Sequence, residues 1–316
     1  MCQHLFIINP KAGGRDRSHE LTQAIRTLVI EDPIEIRKTE YPGHATQIVR
    51  DFLKEHTEFV RIYSCGGDGT LSEIVRGMYE SDNKHCAVGV VPIGSGNDFI
   101  KAFEDLGSDD FLDLNAMTGG KCRTVDLMEV GDGEKSAVSI NIVSAGYDAA
   151  VAAGMQKYKR IPLLKNFAYK LSVLECLISK MKHRFRLIAD GEEICDPSND
   201  YLFAIAANGK FYGGGFKASP LSSLDDGKMD FIRIKTVTRL TFLKLVGSFR
   251  RGEHLETMKE FVTWQRCETL QILGEGDVPV NVDGEIIEMH NPVIRIVPSA
   301  VQVILPMKTA DLPVGV

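Results

Sequence analysis

Gly66-Gly67-Asp68-Gly69-Thr70 is the part of this chain best suited to chemistry on a phosphate. Three glycines in four positions remove side chains where backbone must come close to a partner, and one carboxylate is left among them. The segment follows the apolar run Phe59–Tyr63 directly, and Leu71–Val75 reads as a helix opening. A strand, a glycine turn and a helix start point free N–H groups and a helix dipole at an anion. Asp68 alone would repel that anion, so the reading places a magnesium ion between them. For the pentapeptide in isolation, a tight turn with a capping aspartate remains the alternative.

The elements that must hold this segment follow a βα rhythm over the first 120 or so residues. Strands are expected at His4–Asn9, Ile34–Thr39, Phe59–Ser64 and Cys86–Pro92, with helices to Val29, to about Lys54 and over Leu71–Tyr79. That alternation predicts a layered α/β domain with a parallel sheet. The glycine clusters Gly13-Gly14, Gly43, Gly66–Gly69 and Gly94–Gly96 all fall at carboxyl ends of strands, where open α/β sheets bind ligands. After Val125 the texture changes to short strands with hairpin signals at Gly131–Lys135 and Asp190-Gly191, interrupted by helical stretches near 148–181 and 239–253. The expected division is an α/β domain over 1–124, a β-rich sandwich over 125–306 and a tail, 307–316, able to pack back on the first domain.

Composition excludes several function classes. The chain has 316 residues, 44% hydrophobic and 25% charged, with 37 Lys and Arg against 43 Asp and Glu. The resulting net charge of −6 makes no case for nucleic-acid binding. Seven scattered cysteines (2, 65, 86, 122, 176, 195, 267) contain no C-x-x-C, so neither a disulfide framework nor a zinc site is expected. No signal-peptide n-region and no apolar stretch of about 20 residues is present, and the chain reads as cytoplasmic. Neither a G-x-x-x-x-G-K-[ST] P-loop nor a G-x-G-x-x-G fingerprint occurs.

Taken together, the loops resemble the diacylglycerol kinase catalytic domain, which is shared by bacterial lipid kinases, eukaryotic diacylglycerol kinases and sphingosine kinases. The likeness rests on Asn9–Gly14, Thr39 with Gly43-His44-Ala45, Gly66–Thr70 with Glu73, and Pro92–Phe99. It extends through Gly146-Tyr147-Asp148, Ala168-Tyr169, Asn208-Gly209, Gly213–Gly215, Ala218–Pro220, Asp225–Gly227 and Asp283–Glu285. The resemblance implies that Asn9, Pro10, Lys11, Ala12, Gly13, Thr39, Gly66, Gly67, Asp68, Gly69, Thr70, Leu71, Ser72 and Ser95 hold ATP. Ser72 stands where the family has Asn. It further implies that Asp68 acts through magnesium at the phosphates, that Asp226 ligates a structural magnesium with the carbonyls of Ser223 and Lys228, and that Asp283 or Glu285 is the general base. Two residues apart on a strand-like segment, Asp283 and Glu285 are expected to share a face. Without the family, Asp225–Gly227 reads as an ordinary turn and Asp-Gly-Glu as a hairpin turn. His44 is expected to support the phosphate region rather than react, and Lys11 to neutralise phosphate or simply to be solvated.

One feature needs no family. Between Lys157 and Arg186 stand nine Lys or Arg against the single acid Glu175, with Leu163, Leu164, Phe167, Leu171, Leu174, Ile178 and Met181 at helical spacing. This is an amphipathic stretch with basic flanks, suited to an anionic membrane or else to core packing with a solvated basic face. Arg239–Arg251 is a second such element. The expectation is an ATP- and magnesium-dependent lipid kinase, peripherally membrane-associated, with the nucleotide on the glycine loops facing the β-rich domain. Diacylglycerol, a sphingoid base and phosphatidylglycerol all satisfy the pattern as acceptors. The rivals are a soluble-substrate kinase of the NAD kinase or phosphofructokinase type and a non-catalytic lipid- or nucleotide-binding protein. No residue pattern sets the oligomeric state; a homodimer is one option.

Overall fold

The computed structural model describes residues 2–147, 151, 182–194, 198 and 200–308. Asp148, Ala168-Tyr169, the stretch 157–181, Cys176, Cys195 and positions 309–316 lie outside them. The backbone divides into two compact units, Met1–Asp126 with Pro298–Val316, and Leu127–Val297. The chain thus re-enters the first unit at Pro298, whereas 125–306 was expected to stay in the second.

The first unit is built on strands β1 (Cys2–Ile8), β2 (Ile34–Lys38), β3 (Phe59–Gly66) and β4 (Cys86–Pro92). They pair in the order β2-β1-β3-β4, all parallel. Beyond β4, Gln302–Ile304 pair in parallel with Ala87–Gly89. Leu5, Phe6, Ile7, Ile8, Val60, Ile62, Val88 and Val91 are fully buried, the continuous apolar pattern of strands covered on both faces. The connecting helices are α1 (Ser18–Arg26), α2 (His44–Glu55) and α3 (Asp68–Glu80). Helix α2 buries Ala45, Val49, Phe52 and Leu53, one stripe at the 3.6-residue period. Because β1 sits between β2 and β3, the connections leave β1 and β3 in opposite directions along the sheet. That is a topological switch point, and the crevice opens at the carboxyl ends of these two strands.

Helix α3 begins at Asp68, three residues earlier than the apolar pattern predicts. The carbonyl of Gly67 accepts from Thr70 N at 3.0 Å and from Leu71 N at 3.1 Å, so the glycine turn and the first helical turn are one structure. Two short helices, α4 (Ser108–Leu112) and α5 (Leu114–Thr118), lead to β5 (Lys121–Gly131).

The second unit is a β-sandwich. One sheet follows the order β13-β12-β11-β7-β15-β16, with every pairing antiparallel. Its strands are β7 (Ile142–Gly146), β11 (Asp200–Ala207), β12 (Met229–Lys235), β13 (Val262–Cys267), β15 (Asp277–Val282) and β16 (Glu285–His290). The short β8 (His183–Arg184) pairs with β11. Facing strands are β9 (Arg186–Ala189), β10 (Glu192–Glu193), β14 (Thr269–Leu273) and the start of β17 (Val293–Leu305). The hairpin of β5 and β6 (Ser136–Ser139) adds Met128, Val130 and Ala137. Val143, Ala145, Ala204, Ala206, Phe231, Leu187, Leu270, Ile272 and Ile294 meet in one core. A second core, with Ile205, Ile232, Ile234 and Tyr147, is covered by helix α6 (Arg239–Arg251) through Phe242, Leu245 and Phe249. The single turn α7 (His254–Thr257) follows. Val293–Leu305 runs as one unbroken strand across Pro298.

Candidate active site

Each segment at the switch point is locked to its neighbours by backbone. Asn9, just past β1, donates its backbone N–H to Cys65 O at 2.9 Å and its side-chain amide to Thr70 Oγ1 at 3.0 Å, while its Oδ1 accepts from Lys11 N at 2.9 Å. One asparagine thereby joins the β1 loop to the first turn of α3. Gly13 has φ +66°, and a Cβ there would collide with the carbonyl of Ile93. Likewise a Cβ on Gly94 would run into the Cα of Gly67. The loops after β1, β3 and β4 are therefore in backbone contact, and glycine is required by that approach as well as by turning.

Asp68 stands at the centre. Its Oδ1 accepts from Asp98 N at 2.7 Å and Phe99 N at 3.2 Å. Its Oδ2 has no hydrogen bond among the described residues, and Gly96 leaves room beside it, since a Cβ there would lie 2.8 Å away. Burial raises the Asp68 carboxyl above the usual range; the N–H groups of Phe99 and Asp98 oppose this, while the neighbouring Asp98 charge adds to it. Asp98 is only 4% exposed and meets Lys101 Nζ at 2.5 Å. Two close carboxylates and one lysine leave an excess negative charge in a sheltered place, and one carboxylate oxygen is open. An oxygen-seeking divalent cation fits that donor set. Asp98 and Lys101 were missed as site residues. The signal was present, because Asp98 ends the Gly94–Asp98 loop and Lys101 follows it by one helical turn.

The other expected nucleotide contacts lie in the same unit, on the loops after β1, β2 and β4 and in the turn and first helical turns of α3. Gly66 and Thr70 are buried, Gly69 and Ser95 exposed, and Ser72 half-buried. Leu71 is 1% exposed and packs into the core, so it offers only its backbone. Pro10 and Ala12 shape the turn, whose Ala12 N bonds to Asn9 O at 3.1 Å. Thr39 follows β2 and is tied to β1 through Thr39 N to Ile8 O at 2.9 Å. Lys11 Nζ reaches the carbonyl of Glu40 at 3.4 Å. His44 Nδ1 accepts from Glu40 N at 3.1 Å and its ring stacks on Tyr41. Glu73 accepts from Ala45 N at 3.1 Å, capping α2 from α3. His44 and Glu73 thus hold the loop after β2 in place.

In the second unit, Asp283 and Gly284 are the two-residue turn of the β15–β16 hairpin, with φ +47° and +96°. This is the backbone that favours Asp-Gly. Asp283 therefore does not alternate with Glu285 along a strand, and the expected shared face does not exist. Its carboxylate is engaged three times: Oδ1 accepts from Ser139 Oγ at 2.7 Å and Ile142 N at 2.9 Å, and Oδ2 from Ile140 N at 2.9 Å. Asn208 and Gly209 donate to Asn141 O, each at 2.9 Å, and a Cβ on Gly209 would collide with the Asn141 side chain. A buried polar knot of Ser139, Asn141, Asn208, Gly209 and Asp283 results. Ser139 and Asn141 carry no sequence signal of their own. Glu285 opens β16 and is exposed.

The Asp225–Gly227 turn does not present an open cation site. Asp226 Oδ1 accepts from Lys228 N at 3.1 Å, and Oδ2 faces Arg266 Nη1 at 3.5 Å. Ser223 Oγ donates to Asp225 Oδ1 at 3.0 Å. Asp226 thus has one oxygen on a backbone N–H and the other on an arginine that it shares with Asp230, so its carboxylate is engaged within the chain. Gly213–Gly215 have φ of +64°, +84° and +105°, the left-handed backbone that favours glycine at all three.

The described end of the basic stretch, beyond the helix expected near 148–181, is strand at His183–Arg184 and from Arg186, and it is ion-paired. Lys182 and Arg184 meet Asp200 at 2.6 and 3.4 Å, and Arg186 meets Glu193 at 2.8 Å.

Comparison with known proteins agrees with this architecture. Residues 3–130 match the diacylglycerol kinase catalytic domain, and residues 141–305 the YegS C-terminal NAD kinase beta sandwich-like domain. The chain is 29% identical over 298 residues to YtlR of Bacillus subtilis, which carries a lipid-kinase name, covering 90% of this chain and 94% of that one. It is 25% identical over 281 residues to the diacylglycerol kinase of the same organism, covering 89% and 88%. A crystal structure of a diacylglycerol kinase from Bacillus anthracis superimposes with a TM-score of 0.68 over 96% of both chains at 18% identity, a likeness of fold. The chain belongs to the diacylglycerol kinase family of lipid kinases, phosphotransferases built from an α/β domain and a β-sandwich.

Proposed function

We propose that the protein transfers the γ-phosphoryl group of ATP to the hydroxyl of a membrane lipid, diacylglycerol or a related lipid alcohol, with magnesium. The observation that carries this reading is Asp68: one oxygen fixed by two N–H groups, the other open, at the switch point of a parallel sheet. Of the first N–H groups of α3, those of Thr70 and Leu71 are taken by the Gly67 carbonyl; those of Asp68 and Gly69 are left, and with the helix dipole they suit the triphosphate. Asn9 and Thr70 fix the walls of that cradle. Asp68 and Asp98 would hold the magnesium, with Lys101 fixing the Asp98 carboxylate beside it; the ion would neutralise phosphate charge there. Lys11 and Ser95, both exposed, would complete the nucleotide contacts.

For the proton on the lipid hydroxyl we assign Glu285 as acceptor and Asp283 as its positioning residue. Asp283 holds its hairpin against Ser139–Ile142 with three accepted hydrogen bonds, so both of its oxygens are engaged in the fold. Glu285 is exposed and carries no such load. Transfer of this kind depends on positioning and charge neutralisation more than on covalent chemistry by the protein.

Labelled ATP incubated with the protein and a total lipid extract tests the reading. A labelled lipid that needs magnesium is the expected product. Label appearing only on soluble acceptors would refute the lipid assignment.

A further inference from the structure

Helix α6 has two faces of different chemistry. Phe242, Leu245, Ser248 and Phe249 are buried against the sandwich. On the other side, Leu240 is 77% and Leu243 61% exposed. Both stand one turn apart, and among the described residues no other helix exposes two large apolar side chains. At 100° per residue, Arg239, Leu240, Leu243, Lys244, Gly247, Arg250 and Arg251 fall within an arc of about 140°. The helix carries four basic residues and no acid, in a chain whose net charge is −6. Arg251 is paired with Glu253 at 2.8 Å; Lys244 and Arg250 have no ion pair among the described residues and are exposed.

We propose that this face of α6 is a docking surface for an anionic lipid bilayer. Leucines flanked by long basic side chains suit the boundary between headgroups and acyl chains. There the leucines leave water and the cations meet anionic headgroups. A soluble protein partner would need an acidic surface with an apolar slot. The bilayer offers the same complementarity in the place where the substrate of a lipid kinase resides. The inference rests on the lipid-kinase reading for that last step, while the charge and exposure of the face stand without it.

The test is sedimentation with vesicles, without ATP, using the full chain. Vesicles of phosphatidylcholine alone are compared with equimolar phosphatidylcholine and phosphatidylglycerol at low and high salt. The substitutions are Leu240→Ser with Leu243→Ser, and separately Lys244→Glu with Arg250→Glu, all at exposed positions. Wild-type protein is expected to bind the anionic vesicles and to release at high salt. Each double variant is expected to bind them at least about tenfold more weakly, since each cation near such a surface is worth about 1 kcal/mol and each leucine taken out of water about 1.5–3 kcal/mol. Unchanged binding by both variants, or equal wild-type binding to neutral vesicles, overturns the proposal. Loss of self-association in the variants, with vesicle binding intact, overturns it in favour of a second copy. Phosphoryl transfer to diacylglycerol in detergent micelles is measured in parallel. A failed kinase reading removes transfer from the wild type, whereas a failed docking proposal leaves transfer intact and vesicle binding unchanged by the variants.

Discussion

At the scale of single residues, the carboxylates assigned to metal binding and to proton transfer have different surroundings. Asp68 is sheltered, with its carboxyl raised by burial, and one of its oxygens is open. Asp68→Asn keeps the N–H acceptor at Oδ1 but removes the charge. The expected loss in turnover is roughly a thousandfold or more, with thermal unfolding unchanged. The raised carboxyl also fixes a pH dependence. The proton and the metal compete for the ionised form, so the acid limb of activity should move to lower pH as magnesium is increased. An acid limb unmoved by magnesium would argue against Asp68 as the metal handle. Glu285→Gln should lower kcat by about 10²–10⁴ with little effect on stability. Asp283→Ala instead strips acceptors from Ser139 and two backbone N–H groups and should destabilise by about 1–3 kcal/mol, seen as a lower urea midpoint. Equal unfolding midpoints for Asp283→Ala and wild type would contradict its role as an anchor.

At the scale of elements, the glycines after β1, β3 and β4 are spacers between backbones. Gly94→Ala places a methyl group against Gly67, and the loops must separate. An overpacking cost of about 1–3 kcal/mol is expected, together with a raised KM for ATP because the cradle of α3 shifts. A KM within error of wild type would show that the loops tolerate the separation. The positions of these loops were legible in the sequence, because each glycine cluster follows an apolar run that could only be a buried parallel strand. The start of α3 was not legible, because Gly67 caps it through its carbonyl and leaves no side-chain signature. The hairpin role of Asp283 was visible as Asp-Gly, yet two turn residues and a catalytic strand pair look alike before the register Val282↔Glu285 is known. The balance of Asp226 by Arg266 could not be read either, since the partner lies 40 positions away on β13. Strand β13 itself, Val262–Cys267, is buried only at its two ends and alternates half-buried and exposed residues around Trp264 and Arg266, a weak pattern beside the apolar strands.

At the scale of the whole molecule, fold class and family were legible because the motifs extend from Asn9 to Glu285. The return of the chain at Pro298 was not, since one parallel pairing with β4 leaves no local trace. Global stability should carry a mark of its own in acid. His254 is fully buried beside Phe249, and among the described residues no well-formed hydrogen bond reaches either ring nitrogen. Burial pushes its pKa down to about 4, weakly opposed by the Ala218 backbone. Its folded value lies below the unfolded one, so the unfolded chain binds the proton more readily. The associated stability is present above pH 6.5 and is lost as pH falls toward 4. Between pH 6.5 and 5 this amounts to about 2 kcal/mol. Urea unfolding at both pH values should show the loss in wild type and a smaller one in His254→Leu, whereas identical slopes would assign the acid sensitivity elsewhere. The central claim is lipid phosphorylation at the Asp68 site. The most direct measurement is the initial rate of label transfer from γ-labelled ATP to diacylglycerol micelles, for wild type and Asp68→Asn, each with magnesium and with chelator. The account predicts a labelled lipid from wild type with magnesium and essentially none in the other three reactions. Equal rates for the two proteins, or no labelled lipid under any condition, would contradict it.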